Sequence, residues 1–243
     1  MIARESSAVM AQRKLTKASL DMFPTPPWAT RALIEDVLKR RGLLDSGLFL
    51  NCWEPSCGKG HMAIPLIEEF GTVFASDVHD WGFGDRRDLD FCNASSADCP
   101  VRPHWIIGNP PFKLGEQFFH RAYELVEIGC ALLLRLQWIE GEGRFARIFG
   151  GDRKPAVVAP FAERVPMIEG VWDPDASSAT AYAWFVWTKD RVDESIVAPI
   201  PPNARSRYSR LTDMALATPG EAARRKAAKK AAELAGEPQP RLV

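Results

Sequence analysis

The chain has 243 residues, 46% of them hydrophobic and 26% charged, with a formal net charge of zero at pH 7. That is the composition of an ordinary globular protein, and it excludes collagen-like, coiled-coil, mucin-like and wholly disordered chains. No apolar run approaches the ~20 residues of a membrane span, and the five cysteines and four histidines show no zinc-ligand spacing. No membrane partner, no metal and no disulfide framework are therefore expected. The opening Met1-Ile2-Ala3-Arg4-Glu5 lacks the basic-then-apolar pattern of a leader, so the expected location is cytoplasmic.

In chain order, residues 1–20 show no apolar period and read as a flexible basic arm. Ala29, Leu33, Ile34, Val37 and Leu38 lie on one helical face, and that helix ends near Gly42. A strand is expected over 48–53, a turn over 54–60, a helix over 61–70 and a second strand over 72–76. Residues 80–103 are polar and proline-containing, hence loop around one short strand or turn. Further strands are expected at 104–108, 131–136, 156–161 and 181–187, with a helix over 115–129. Strands alternating with helices predict an α/β fold, a mostly parallel Rossmann-like sheet with helices on both faces. In such a sheet, ligands bind beyond the carboxyl ends of the strands.

Three strand ends carry candidate chemistry. The first runs Trp53-Glu54-Pro55-Ser56-Cys57-Gly58-Lys59-Gly60, where two glycines let the backbone pass close to a ligand. An ordinary strand-to-helix turn has the same look, but a nucleotide-hydrolysing P-loop does not. Gly60 stands where Ser or Thr would follow the lysine, and Trp53 where the earlier glycine belongs. The second strand ends at Asp77, placed either to accept ribose hydroxyls or to cap a loop. The third ends in Asn109-Pro110-Pro111-Phe112. Its prolines have no N–H, so the Asn109 side-chain oxygen and the Pro110 carbonyl are free to accept both protons of an exocyclic amine. Phe112 offers a face on which a planar base stacks.

In this order, the segment 54–60, Asp77 and Asn109-Pro110-Pro111-Phe112 resemble the motifs of S-adenosylmethionine-dependent N6-adenine DNA methyltransferases, most of all the small, often phage-borne members. Phe23-Pro24-Thr25-Pro26-Pro27 is similar to the family's Thr-Pro-Pro segment, and Asp88-Leu89-Asp90-Phe91 to its Asp-Phe motif. The pieces 133–138, 163–167 and 183–187 also look like such enzymes, so the resemblance spans roughly 20–205. It implies S-adenosyl-L-methionine as cofactor. Thr25 would lie at its methionine carboxylate, Glu54, Ser56, Gly58 and Gly60 around the methionine moiety, Asp77 at the ribose, and Asp90 with Phe91 at the adenine. Asp88 is the alternative to Asp90. Asn109, Pro110, Pro111 and Phe112 would hold the target adenine, with Phe23 and Trp138 either flanking it or packed in the core. The implied partner is DNA, either duplex with the base flipped out or single-stranded; a homodimer is left open. RNA amines and a protein glutamine amide are alternative acceptors for the same motif, and a catalytically silent nucleic-acid-binding subunit is the non-enzymatic one.

The expected organisation is an arm over 1–20, a methyltransferase domain over 21–203 and a basic tail over 204–243. Residues 1–17 carry four basic and one acidic residue, residues 202–243 nine and four, and the stretch between them 18 and 26. The ends are either solvated or phosphate-seeking arms on an acidic body. In the tail, Thr218-Pro219-Gly220-Glu221 has capping-box spacing before an Ala/Lys/Arg-rich helix that Gly236 would end. No second core fits after Trp187, so any base-specific contacts must come from loops such as 138–155 or from the arms.

Overall fold

The computed structural model describes residues 21–190 and 192–234. The arm expected over 1–20 and the stop expected at Gly236 lie outside the described residues. Seven strands form one sheet in the order β2-β1-β3-β4-β6-β5-β7. They are β1 (Asn51–Glu54), β2 (Thr72–Ala75), β3 (Trp105–Gly108), β4 (Gly129–Arg135), β5 (Val157–Pro160), β6 (Tyr182–Thr188) and β7 (Ile196–Val197). Neighbours pair in parallel except at β6, which runs antiparallel to both β4 and β5.

The two faces of the sheet follow from the strand period of two. Cys52, Trp105, Ile107, Ala131, Leu133, Trp184 and Val186 pack on one side with the helix α1 (Pro27–Ala32), which continues as a π-helical stretch Leu33–Lys39. Trp53, Ile106, Cys130, Leu132, Leu134, Phe185 and Trp187 pack on the other with Phe118, Phe119 and Ala122 of α3 (Gly115–Leu125). Continuous apolar runs such as 130–134 arise because both faces are covered. Pro27 opens α1 at its first position, where a missing N–H costs nothing.

Several expected elements differ: the helix expected over 115–129 ends at Leu125, Gly129 instead opens β4, and β7 has no counterpart among the expected strands. The helix expected over 61–70 is only α2 (Ala63–Ile67), because Pro65 is tolerated only within a first turn. The strand expected from Leu48 begins at Asn51. Leu48 and Phe49 sit instead in a turn closed by Gly47, whose carbonyl accepts from Leu50 and Gly71 N–H, and Phe49 is 91% exposed.

After β4 come a short helix α4 (Glu142–Arg144) and a π-helical stretch Phe145–Phe149. After β7 come α5 (Ala204–Tyr208), a 3₁₀ turn Leu211–Leu216 and α6 (Glu221–Leu234). The start of the tail is not a loose arm. Ala204 is fully buried, and Arg31 of α1 bonds both carboxylate oxygens of Asp213 at 2.8 Å and both of Glu68 at 2.7 and 2.8 Å. Thr218 does not cap α6. Its N–H bonds the Trp172 carbonyl, and the buried Asp173 carboxylate takes the N–H groups of Gly220 and Ala222.

Candidate active site

β2 lies on one side of β1 and β3 on the other, so the chain changes direction at the carboxyl ends of β1 and β3. Open α/β sheets bind ligands at that kind of switch point. A cavity of ≈ 240 Å³ opens there, lined by the strap Asp21–Phe23, the turns after β1, β2 and β3, and Leu89–Phe91. Of the expected residues, Ser56, Gly58, Asp77, Asp90, Phe91, Asn109 and Pro111 line it. Thr25, Glu54, Gly60, Pro110 and Phe112 do not; Glu54, Pro110 and Phe112 are next in sequence to lining residues, and Thr25 and Gly60 are two positions away. Asp88 is outside the lining and pairs with Arg86, so Asp90 is the acidic group at this end.

Backbone conformation explains the glycines after β1. Gly58 and Gly60 have φ of 52° and 85°, values that side-chain-bearing residues rarely adopt. A Cβ on Gly60 would also lie 2.7 Å from the Phe83 ring. The turn is held by Asp77, whose Oδ2 accepts from Gly58 N–H at 2.9 Å while Oδ1 accepts from His79 N–H at 3.0 Å. Asp77 thus braces the glycine turn as well as lining the cavity. Asp90 caps the 3₁₀ turn Phe91–Asn93 through Cys92 N–H, and Phe91 packs edge-on against Trp53 with centroids 5.0 Å apart.

The turn after β3 is locked to the strap. Asn109 donates Nδ2–H to the Phe23 carbonyl at 2.8 Å, and Phe112 N–H donates to Asp21 Oδ2 at 2.7 Å. Among the described residues, Asn109 Oδ1 is then left buried with no partner, as are Thr25 Oγ1, Glu54 Oε2 and Asp21 Oδ1. Two of these oxygens, on Asn109 and Asp21, belong to residues that line the cavity, where a hydrogen-bonding ligand would offset their cost. The electrostatics agree. Burial, then the nearby Asp77 charge, pushes the Glu54 carboxyl well up from the usual range, and burial also raises Asp77 and Asp21. A cationic ligand would relieve all three.

Phe112 is not a bare platform, because the Arg135 guanidinium lies over its ring, 4.0 Å from the centroid. Trp138 is in the core, 5.3 Å from Phe185 and 6.0 Å from Trp187, rather than at the cavity. Phe23 is buried and lines the cavity. Sequence reasoning missed Asp21 and Trp81 in the lining; neither carries a motif, and the strap reaches the site only through its contacts with Asn109 and Phe112. Among the described residues no cluster of three metal-ligating side chains occurs, and no helix is long and apolar enough to cross a membrane.

No protein-family model matches the sequence, and no curated protein does either. Solved structures do. The chain is similar to a protein described as an RNA methyltransferase from Pyrococcus horikoshii, with TM-score 0.51 and 14% identity over 70% of this chain and 87% of that one. It also matches a protein described as a hemolysin from Lactococcus lactis (TM-score 0.48, 17% identity, 72% of this chain and 92% of that one). A third match is a protein described as a class I S-adenosylmethionine-dependent methyltransferase from Listeria monocytogenes (TM-score 0.47, 13% identity, 74% and 68%). At such identities the likeness is one of architecture: a mostly parallel, Rossmann-like sheet of the class I methyltransferase fold.

Proposed function

We propose that the protein is an S-adenosylmethionine-dependent methyltransferase acting on the N6 amine of adenine in DNA. The observation that carries the reading is Asn109: its Nδ2 is tied to Phe23 and its Oδ1 is a buried acceptor with no partner, at the switch point beside the Gly58 turn. The partnerless Glu54 and Thr25 oxygens fit the ammonium and carboxylate ends of a bound amino acid, and Asp77, Asp90 and Phe91 line the cavity where a nucleoside would extend. When bound, S-adenosylmethionine supplies an electrophilic methyl carbon. The protein's own part is positioning. Asn109 Oδ1, with the Pro110 carbonyl, accepts the two amine protons and turns the nitrogen lone pair toward the cavity. No nucleophilic side chain is needed. A stacked, paired adenine must leave the helix to reach this turn, at a cost of a few kcal/mol that single-stranded substrate avoids.

RNA is the second reading, supported by the name of the Pyrococcus horikoshii neighbour. The experiment offers labelled cofactor to duplex DNA, single-stranded DNA, RNA and a release-factor-like protein. Label in DNA N6-methyladenine is the expected result. It should disappear in Asn109→Ala, which should keep cofactor affinity by calorimetry and lose no more than ~0.5–1.5 kcal/mol of stability with the Phe23 hydrogen bond. Label confined to RNA would establish the second reading, and near-normal transfer by Asn109→Ala would remove the acceptor role.

A further inference from the structure

Arg135 ends β4 and faces Tyr182 of β6 in the sheet register. Its guanidinium covers the Phe112 ring at 4.0 Å, while its Nε is buried and has no hydrogen-bond partner among the described residues. Phe23 and Tyr182 flank the same ring, with centroids 5.0 and 6.4 Å away. The Arg135 charge also acts on the Asp21 carboxyl that holds Phe112 N–H. A flat, cationic group therefore rests where a flat acceptor would stack, and one of its donors is unsatisfied.

Those two features have one explanation in common. A guanidinium lies on an aromatic face much as a base does, so it keeps the ring covered while no base is there. Two planar groups cannot share that face. A displaced guanidinium on a long side chain stays within reach, and its forked donors match a phosphate. The charged groups that line the cavity, Asp21, Asp77 and Asp90, are carboxylates that would repel one.

We propose that Arg135 is an acceptor-binding residue: it covers Phe112 in the free protein, yields that face to the target base, and then holds a phosphate of the same strand. The proposal rests on the methyltransferase reading of the cavity. The test uses the full chain with Arg135→Ala, Arg135→Gln and Arg135→Lys, reading cofactor affinity by calorimetry and affinity for an adenine-containing DNA duplex across a salt series. Arg135→Ala should keep cofactor affinity and weaken duplex binding about tenfold. The slope of log affinity against log salt should fall by ~0.9, the loss of one phosphate contact. Arg135→Lys should retain the slope. If Arg135→Ala does not fold, Arg135→Gln, which keeps a planar end without the charge, should show the same fall in slope. An unchanged slope in a folded, cofactor-binding Ala or Gln variant overturns the proposal while leaving the methyltransferase reading intact. Wild-type protein that binds cofactor but no nucleic acid overturns both.

Discussion

Asn109 and Glu54 show how single side chains are prepared for a ligand. Glu54 is buried and Asn109 half-buried, and each holds a buried oxygen with no partner among the described residues. For Glu54 the consequence is measurable as pH dependence. Its carboxyl is raised well above the ordinary value, first by burial and then by Asp77. A raised carboxyl binds its proton more tightly in the folded than in the unfolded state, so stability falls as pH climbs from the unfolded carboxylate range through the raised value. Glu54→Gln removes that loss. Without cofactor, the variant should be more stable than the wild type at about pH 8, and the difference should shrink toward about pH 4. Its cofactor affinity should fall, because the cationic end of the ligand loses its counter-charge. Denaturant titrations over a pH series check the first expectation and calorimetry the second; parallel pH profiles for the two proteins would show that Glu54 ionises normally in the fold.

At the scale of elements, the segment after β7 is a clasp. Residues 204–222 bind α1 through Arg31–Asp213, the π-helical stretch after it through Arg207–Asp36, and the loop 169–173 through Asp173. The same loop accepts Lys59 Nζ–H at the Gly170 carbonyl and donates Gly170 N–H to Met22 of the strap, so the clasp and the cavity roof share supports. His61, two residues past that lysine, bonds the Leu216 carbonyl through Nε2 and is lowered to about 4 by burial, so it stays neutral in the clasp. Arg31 and Asp213 are almost wholly buried, with side chains 6% and 2% exposed. Removing one member of such a pair strands the other, so Asp213→Ala should cost about 3–5 kcal/mol. Urea unfolding reads this directly. A cost under about 1 kcal/mol would mean that Glu68 alone neutralises Arg31.

At the scale of the molecule, charge is divided between body and end. Beyond residue 222 the sequence holds six basic and two acidic residues, and α6 has no buried residue. A helix with no apolar face is held by its cap and its ion pairs rather than by packing; here Asp173 supplies the cap, and Arg224 and Arg225 pair with Glu221. Truncation after Ala222 keeps the clasp and removes the basic stretch. On the DNA-methylating function proposed above, it should weaken DNA binding most at low salt and flatten the salt dependence by ~0.9 per lost phosphate contact, leaving the set of methylated sequences unchanged. Equal salt slopes before and after truncation would show that α6 touches no phosphate, and an altered methylation pattern would show that it reads bases.

Local sequence determined six of the seven strands apart from their ends, the two glycine positions and the Asn-Pro-Pro-Phe turn, because each is imposed by near neighbours. The strand period of two sets which face a residue takes, a positive φ favours glycine, and successive prolines fix a backbone wherever they stand. The part of the site made by distant segments was decided only in three dimensions. Asp21 meets Phe112 across 91 residues, Arg31 meets Asp213 across 182, and Asp173 caps a helix 49 residues away. None of these carboxylates sits in a pattern, so nothing near them in the chain could mark their roles. Arg135 over Phe112 is of the same kind: the ring was legible as a stacking platform, but the cation covering it arrives from the end of another strand. Short-range steric rules are written in adjacent residues, whereas the partners of buried charges and ring faces are set by which strands the sheet brings together.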